Sequence, residues 1–326
     1  MIPASYFLRL LKPARLAGAM KDFVYPSPRF PLREKISISF SGGKTSAYML
    51  KMLLDHFHTN EPERDVVVTF CNTGLEHEET LKFVRRCAEA FSVEVVWLEA
   101  VVTHGKRIGI RHRVVDFETA SRKGEPFEQY IKKHGVPNKA FPQCNSRLKL
   151  DVMESYRRAI GWKKGTYSTA IGIRSDEIDR VRFDGMANDG LFYPCVDADV
   201  TKQDVNAWWA AQAFNLNIPE HYGNCVTCWK KSDRKLFTIA AENPQAFDFM
   251  ARMEYENGFA GKSDNVRVFF RRNRSALDIL EACRRPFEPF VDGRFIPFDD
   301  SLDLGGSCGD SCEIGADEYD KPDNLP

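Results

Sequence analysis

Neither sign of charge predominates in this chain, which sets 46 lysines and arginines against 46 aspartates and glutamates over 326 residues. A neutral protein has no global field to recruit nucleic acid, so such a partner would need a local basic patch. No apolar run approaches the ~20 residues of a membrane helix. The basic residues in Phe7-Leu8-Arg9-Leu10-Leu11-Lys12 interrupt the apolar core that a signal peptide requires. Internal repeats and low-complexity tracts are absent, and the composition is neither disordered nor fibrous. The seven histidines show no metal-ligand spacing. An even set of cysteines is also lacking. There are nine, in a chain long enough to bury a core without staples, and in a reducing compartment such cysteines serve metals, catalysis or packing. These absences predict a soluble, cytoplasmic protein without a membrane partner.

What is present begins with a proline-punctuated arm over residues 1–35, leaning basic. The null use of such an arm is a loose extension, the alternative a nucleic-acid contact. From residue 36, Ile-Ser-Ile-Ser-Phe alternates as a half-buried strand does. Residues 45–56 then read as a helix, 65–70 as a β-branched strand, 76–91 as a helix and 93–98 as a strand. That alternation predicts an α/β fold with a parallel sheet wrapped by helices. Residues 103–143 lack periodicity and predict a long mobile loop with one helix near 127–134. Further on, 144–160 reads as a helix, 165–173 as a strand and 202–214 as a helix. After Trp229 the chain is mostly helical to about 285, then loop-rich with an acidic end.

The strongest motif is Ser39-Phe40-Ser41-Gly42-Gly43-Lys44-Thr45-Ser46, between a strand and a helix. Paired glycines let the backbone approach an anion, and the helix start aims unpaired N–H groups and its positive dipole end at it. Ser41, Thr45 and Ser46 add hydroxyls and Lys44 a charge. The spacing is not the Walker pattern. Ser41-Gly42-Gly43-Lys44-x-Ser46 resembles the PP-loop of the adenine nucleotide alpha-hydrolase superfamily. Three later segments are similar to those of its phosphoadenosine phosphosulfate (PAPS) reductase family: Cys71-Asn72-Thr73-Gly74-Leu75 with Glu78-Glu79-Thr80, Gly172-Ile173-Arg174-Ser175-Asp176-Glu177 with Arg180, and Pro194…Asp199-Val200-Thr201…Asp204-Val205…Trp208. The resemblance spans about 36–235, leaving a helical region with a cysteine-containing acidic tail over 236–326. It implies ATP with Mg2+, or an adenylyl sulfate, bound by Ser39, Ser41–Ser46, Asn72, Thr73, Gly74 and Gly172. Lys44 and Arg174 are the implied catalytic groups at the phosphate or sulfate end. Two departures stand out: Thr45 where the loop often carries Asp, and Asn72 where Asp is usual.

Cys71, Cys87, Cys195 and Cys283 sit singly beside apolar residues and read as core. Cys144, the C-x2-C pair Cys225 and Cys228, and the glycine-flanked Cys308 and Cys312 need another account. In the family's iron–sulfur branch, a Cys-Cys pair near the helix at 144 joins a later C-x2-C around a 4Fe–4S cluster; here position 145 is Asn. Three thiolates remain, with Cys308 the first candidate for a fourth and Cys312 the second. Zinc, and a redox dithiol or inert thiols, are the alternatives. Arg147 and Lys149 would place cations between cluster and nucleotide, while His221, near Cys225, reads as a local hydrogen-bonding residue. Lys106, Arg107, Arg111, His112, Arg113, Arg122, Lys123, Lys132 and Lys133 make the 103–143 loop a solvated surface or a nucleic-acid-facing lid.

The expected function is a PAPS reductase-like, ATP-using enzyme of sulfur or nucleotide chemistry, acting at the α-phosphate with a sulfur-donor protein as partner. A true reductase is the alternative, weakened because Ser307-Cys308-Gly309-Asp310 lacks the Glu and His of the family's Glu-Cys-Gly-x-His. A nucleotide- and cluster-binding module of a larger complex, catalytically silent alone, is the third reading; under any of them the protein is expected as a homo-oligomer or a complex subunit.

Overall fold

The computed structural model describes residues 18–26, 30–103, 105, 109–260 and 266–303. The first half is built from β1 (Lys35–Ser39), α1 (Lys44–Asn60), β2 (Val66–Cys71), α2 (Glu78–Ala90), β3 (Val95–Val101), β4 (Arg111–Val115) and α3 (Glu125–His134). A π-helical turn at Ser146–Leu150 runs into α4 (Asp151–Ala159), followed by β5 (Tyr167–Ala170) and a 3-10 turn at Ser175–Arg180. Then come α5 (Phe183–Asn188), β6 (Leu191–Phe192), α6 (Pro194–Asp197) and α7 (Lys202–Ala210). The C-terminal part holds α8 (Asp233–Glu242), α9 (Asp248–Asn257), α10 (Ala276–Ala282) and α11 (Asp300–Asp303).

Among the described residues the strands form a six-stranded sheet in the order β4-β3-β2-β1-β5-β6. Neighbours are parallel except β4, which runs antiparallel to β3 with Arg113 opposite Glu99. The predicted α/β fold, parallel sheet and helical C-terminal region are thus present. No helix among the described residues is long and apolar enough to cross a membrane.

Two local expectations are corrected. The strand at 36–40 is not half-buried. It is the central strand with helices on both faces, so Ser37 and Ser39 are as enclosed as Ile36 and Ile38. Their hydroxyls are used inside: Arg157 donates to Ser37 Oγ at 3.1 Å, and Ser39 Oγ lies 3.9 Å from Met153 Sδ. Nor is 103–143 simply a loop, because 111–115 forms the edge strand β4. Its sequence, Arg-His-Arg-Val-Val, is charged as exposed edges are, which hides the strand from apolar periodicity.

One core lies between the sheet and α1, α2 and α7, with Tyr48, Met49, Leu53, Phe70, Trp208 and Trp209 in it. Each such side chain contributes about 1.5–3 kcal/mol on burial. The described part of the arm packs on this core through Met20, Phe23 and Val24, and Lys21 pairs with Asp204 at 2.7 Å. A second core on the opposite face joins α3 and α4 to α8, α9 and α10 through Tyr130, Val152, Ile239, Met250 and Ile279. The C-terminal helices therefore share apolar packing with the sheet.

Candidate active site

The phosphate loop leaves β1 where Phe40 N–H donates to Thr69 O at 2.9 Å. Gly42 takes φ +81°, and a Cβ there would stand 2.8 Å from Thr80 Cγ2 and 3.1 Å from Val84 Cγ2. Only glycine satisfies both the left-handed backbone and that approach. Gly43 caps α1 with no side-chain acceptor, and no acidic residue occupies the first turn. The first N–H groups and the positive end of the helix dipole are therefore left for an anion. Ser46 braces the loop: its Oγ accepts from Ser41 N–H at 3.2 Å and donates to Gly43 O at 3.0 Å, with Ser41 Oγ 2.8 Å away. From α7, Trp209 Nε1–H donates to Lys44 O at 2.9 Å.

Arg174 comes from the segment after β5 and is almost wholly buried. It donates to Thr45 Oγ1 at 3.1 Å and to Asp176 at 3.0 Å, and stands 3.4 Å from Glu177. Arg174 is thereby fixed against the loop, by the very carboxylates a surface ion pair would use. Lys44, by contrast, has no ion-pair partner among the described residues.

Ser41 to Thr45, Arg174, Lys202 and Glu220 line one cavity of about 640 Å3, a size ordinary for small-ligand sites (roughly 300–1,000 Å3). Glu220 accepts from Lys202 and Lys235 at 2.6 Å each. Burial raises its carboxyl, but the two ammonium groups outweigh that and hold it at about 2. The carboxylate is thus neutralised, and Lys44 is the loop cation without an ion-pair partner among the described residues. Thr80 also lines the cavity, and its buried Oγ1 has no partner among the described residues.

The other expected nucleotide contacts fall elsewhere. Ser39 is enclosed at the end of the central strand β1. Asn72 is buried, its amide donating to Glu99 Oε1 at 2.6 Å and Ser121 O at 2.8 Å while Oδ1 accepts from Gly74 N–H at 3.1 Å. Gly74, at φ +83°, passes so close to Gly124 that a Cβ would be 2.9 Å from its backbone. Gly172 sits in the buried run between Ile171 and Ile173. Thr73 lines a different pocket.

That second pocket brings together Cys144, Cys225 and Cys228, with Thr73, Lys149, Trp229 and Lys230 around them. Residues 225–226 are pinned to the segment after β2, because Cys225 bridges Glu76 and Val226 N–H donates to Leu75 O at 3.1 Å. Thr73 Oγ1 lies 3.4 Å from Cys225 Sγ. Cys144 arrives at the start of the helical run that contains the π turn, an irregularity frequent at functional sites. The pocket holds about 30 Å3, room for about two waters. Its thiols share the space without converging: among the described residues no three His, Cys, Asp or Glu side chains form a metal-holding group. The donor set is sulfur, and the buried Trp229 offers an Nε1–H with no partner among the described residues, so the residues suit a sulfur-rich ligand or thiophilic metal. Cys308 and Cys312 lie outside the described residues.

The two pockets adjoin along the chain. Gly223 and Asn224 line the nucleotide-sized cavity, and Cys225, the next residue, lines the thiol pocket. Asn224 makes the turn between them at φ +60°.

The remaining residues have local roles. His221 Nε2 meets Glu242 at 2.8 Å. Cys71, Cys87 and Cys195 are core, and burial pushes the Cys71 thiol up to about 12. In the basic segment, Arg113 binds Glu99, Arg122 binds Glu78 and Lys132 binds Glu128; Lys106 and Arg107 lie outside the described residues. Sequence reasoning did not single out Lys202, Glu220 or Trp229 for the site. Trp229, adjoining the C-x2-C, carried the one usable signal.

A family model of the phosphoadenosine phosphosulfate reductase domain matches residues 35–177. An uncharacterised nin region protein of Escherichia phage lambda is 30% identical over 294 residues, 87% of this chain and 96% of that protein. Two uncharacterised proteins of Methanocaldococcus jannaschii match shorter stretches. One is 31% identical over 121 residues (37% of this chain, 22% of that protein), the other 25% over 125 residues (38% and 20%).

Proposed function

This chain belongs to the phosphoadenosine phosphosulfate reductase domain family, a PP-loop family, and from that premise we propose that it is an enzyme using ATP or an adenylyl nucleotide in sulfur transfer. The observation that carries the reading is the adjacency of the two pockets: the phosphate loop, Arg174 and residues 223–224 line one cavity, and Cys225 opens the other.

In this reading the nucleotide's phosphates lie over Gly42 and Gly43, against the first N–H groups of α1, with Mg2+ carried in on the nucleotide. An acceptor oxygen attacks the α-phosphorus, the bond to the bridging oxygen breaks, and pyrophosphate leaves with the electron pair. Lys44 and Arg174 stabilise the charge that grows on the phosphoryl oxygens, because preorganised cations in a partly desolvated site need no rearrangement as charge develops. Thr45 holds Arg174 in place through the 3.1 Å hydrogen bond. This gives a neutral residue a purpose where the loop often carries Asp. Cys144, Cys225 and Cys228 supply the sulfur donors that an iron–sulfur cluster or zinc would need, and they would have to draw together to hold it. Such a group, when bound, would carry the sulfur and neutralise the charge of the thiolates that ligate it.

The test has three readouts. Labelled ATP should bind wild type and fail to bind a Gly43→Val, Lys44→Ala variant; equal binding overturns the reading. Pyrophosphate released from ATP supports the transferase chemistry, whereas sulfite from phosphoadenylyl sulfate replaces it with a reductase. Anaerobically purified protein should carry iron or zinc that is lost in a Cys225→Ser, Cys228→Ser variant.

A further inference from the structure

Arg267 is a buried cation without a visible counter-charge. It is only 7% exposed, and no carboxylate stands within ion-pair distance of it among the described residues. Its Nη1 donates to His134 O at 3.1 Å, its guanidinium lies 3.7 Å above the Phe141 ring, and its Nε–H has no partner among the described residues. Buried charges are ordinarily paired, because desolvating an ion without an opposite charge costs several kcal/mol. The aromatic face returns only part of that.

Arg267 is not the only such group there. His134 and Arg147, both half-buried, hold further enclosed nitrogens without partners among the described residues, His134 Nε2 and Arg147 Nε. Three separate stretches supply the three residues: the end of α3, the π turn and the segment before α10. Tyr130 ties them together. Its ring stacks on His134 at 5.1 Å, and its phenol feels the charges of Cys144, Arg147 and Arg267. Three enclosed nitrogens without partners among the described residues, one of them on a guanidinium with no counter-charge among those residues, lie on residues grouped around Tyr130, and an oxyanion would answer them.

We propose that Arg267, Arg147 and His134 form a binding site for the phosphate or carboxylate group of a second small-molecule substrate, bordering the thiol pocket at Cys144. The anion site stands on these contacts alone; that the anion belongs to a substrate of the thiol pocket rests on the sulfur-transfer reading. Arg147 already shares one charge with Asp151 at 2.7 Å, so Arg267 supplies the net positive charge. Burial and then Arg147 depress the His134 imidazole, and a bound anion would act in the opposite sense.

Inorganic phosphate is the probe, followed through the imidazole nitrogen resonances of His134 in histidine-labelled protein. Wild type should show a saturable His134 shift, and Arg267→Met should weaken it about tenfold or more, the worth of one charge-assisted hydrogen bond. Arg147→Met, on a half-exposed side chain, tests the site if Arg267→Met does not fold. Lys44→Ala should keep the shift, separating this site from the phosphate loop. Cys225→Ser with Cys228→Ser should also keep it, so a failed metal reading leaves the anion site standing. A parallel titration with malonate distinguishes a carboxylate site from a phosphate site. No His134 shift with either anion, or an undiminished shift in the arginine variants, overturns the proposal.

Discussion

Replacing Asn72 by Asp changes one atom and should cost several kcal/mol. Asn72 is 1% exposed and Glu99 is fully buried. The Asn72 amide donates to Glu99 Oε1 at 2.6 Å and to Ser121 O at 2.8 Å. Glu99 also accepts from Ser121 N–H and Oγ and from Arg113, so its charge is already spread over every available donor. An aspartate cannot donate unless protonated, and two carboxylates ~3 Å apart cannot both ionise in a buried site. The variant pair must therefore keep a proton. One hydrogen bond is restored by that proton and the other is lost, costing about 1 kcal/mol. The proton is free of cost only below the unfolded aspartate pKa of ~3.9; above it, holding the proton costs about 1.4 kcal/mol per pH unit. A carboxyl whose folded pKa is raised loses stability as pH rises. Destabilisation should thus grow from roughly 2.5 kcal/mol at pH 5 to roughly 6 kcal/mol at pH 7.5. Urea unfolding at the two pH values measures this directly, with the m-value unchanged. A penalty below about 1 kcal/mol, or one independent of pH, would refute the reasoning. Because Asn72 does not line the nucleotide-sized cavity, ATP affinity of the folded variant should stay near wild type.

Three further outcomes follow from named contacts. Gly42→Ala should lose about 1–3 kcal/mol and most nucleotide binding, since its Cβ meets Thr80 at 2.8 Å from a left-handed backbone; calorimetric melting together with ATP titration checks both effects. Glu220, held at about 2 by Lys235 and Lys202 against its burial, stabilises the fold above the ordinary carboxylate pKa, and that contribution is lost as pH falls from about 4.5 toward 2. Glu220→Gln should flatten acid unfolding in this window and, on removing at most roughly 3 kcal/mol, lower stability at pH 7. Glu254 behaves oppositely. Burial pushes it up to about 7, although Phe269 and Ala276 N–H donate to it, so it costs stability as pH rises from about 4.5 to 7. In Glu254→Gln that slope should vanish from thermal melts across pH 4–8, and an unchanged slope would show that Glu254 does not carry it.

The sequence by itself determined the architecture and the anion-facing loop. A β-branched parallel strand, a glycine pair and the start of a helix are local signals, because backbone geometry there depends on residues within a few positions. Ser41 to Ser46 could be read that way, and so could the C-x2-C at Cys225 and Cys228. The tertiary structure alone decided which residues stand together. Asn72 and Thr73 are consecutive in the chain, yet one is locked onto Glu99 and the other faces Cys225. The edge strand 111–115 stayed hidden because its pairing partner, not its own pattern, makes it a strand. Arg267 and Arg147 lie far apart in sequence, and no motif joins them. They become a site only where packing removes water and leaves a charge unanswered, and burial is a property of the folded chain that no spacing encodes.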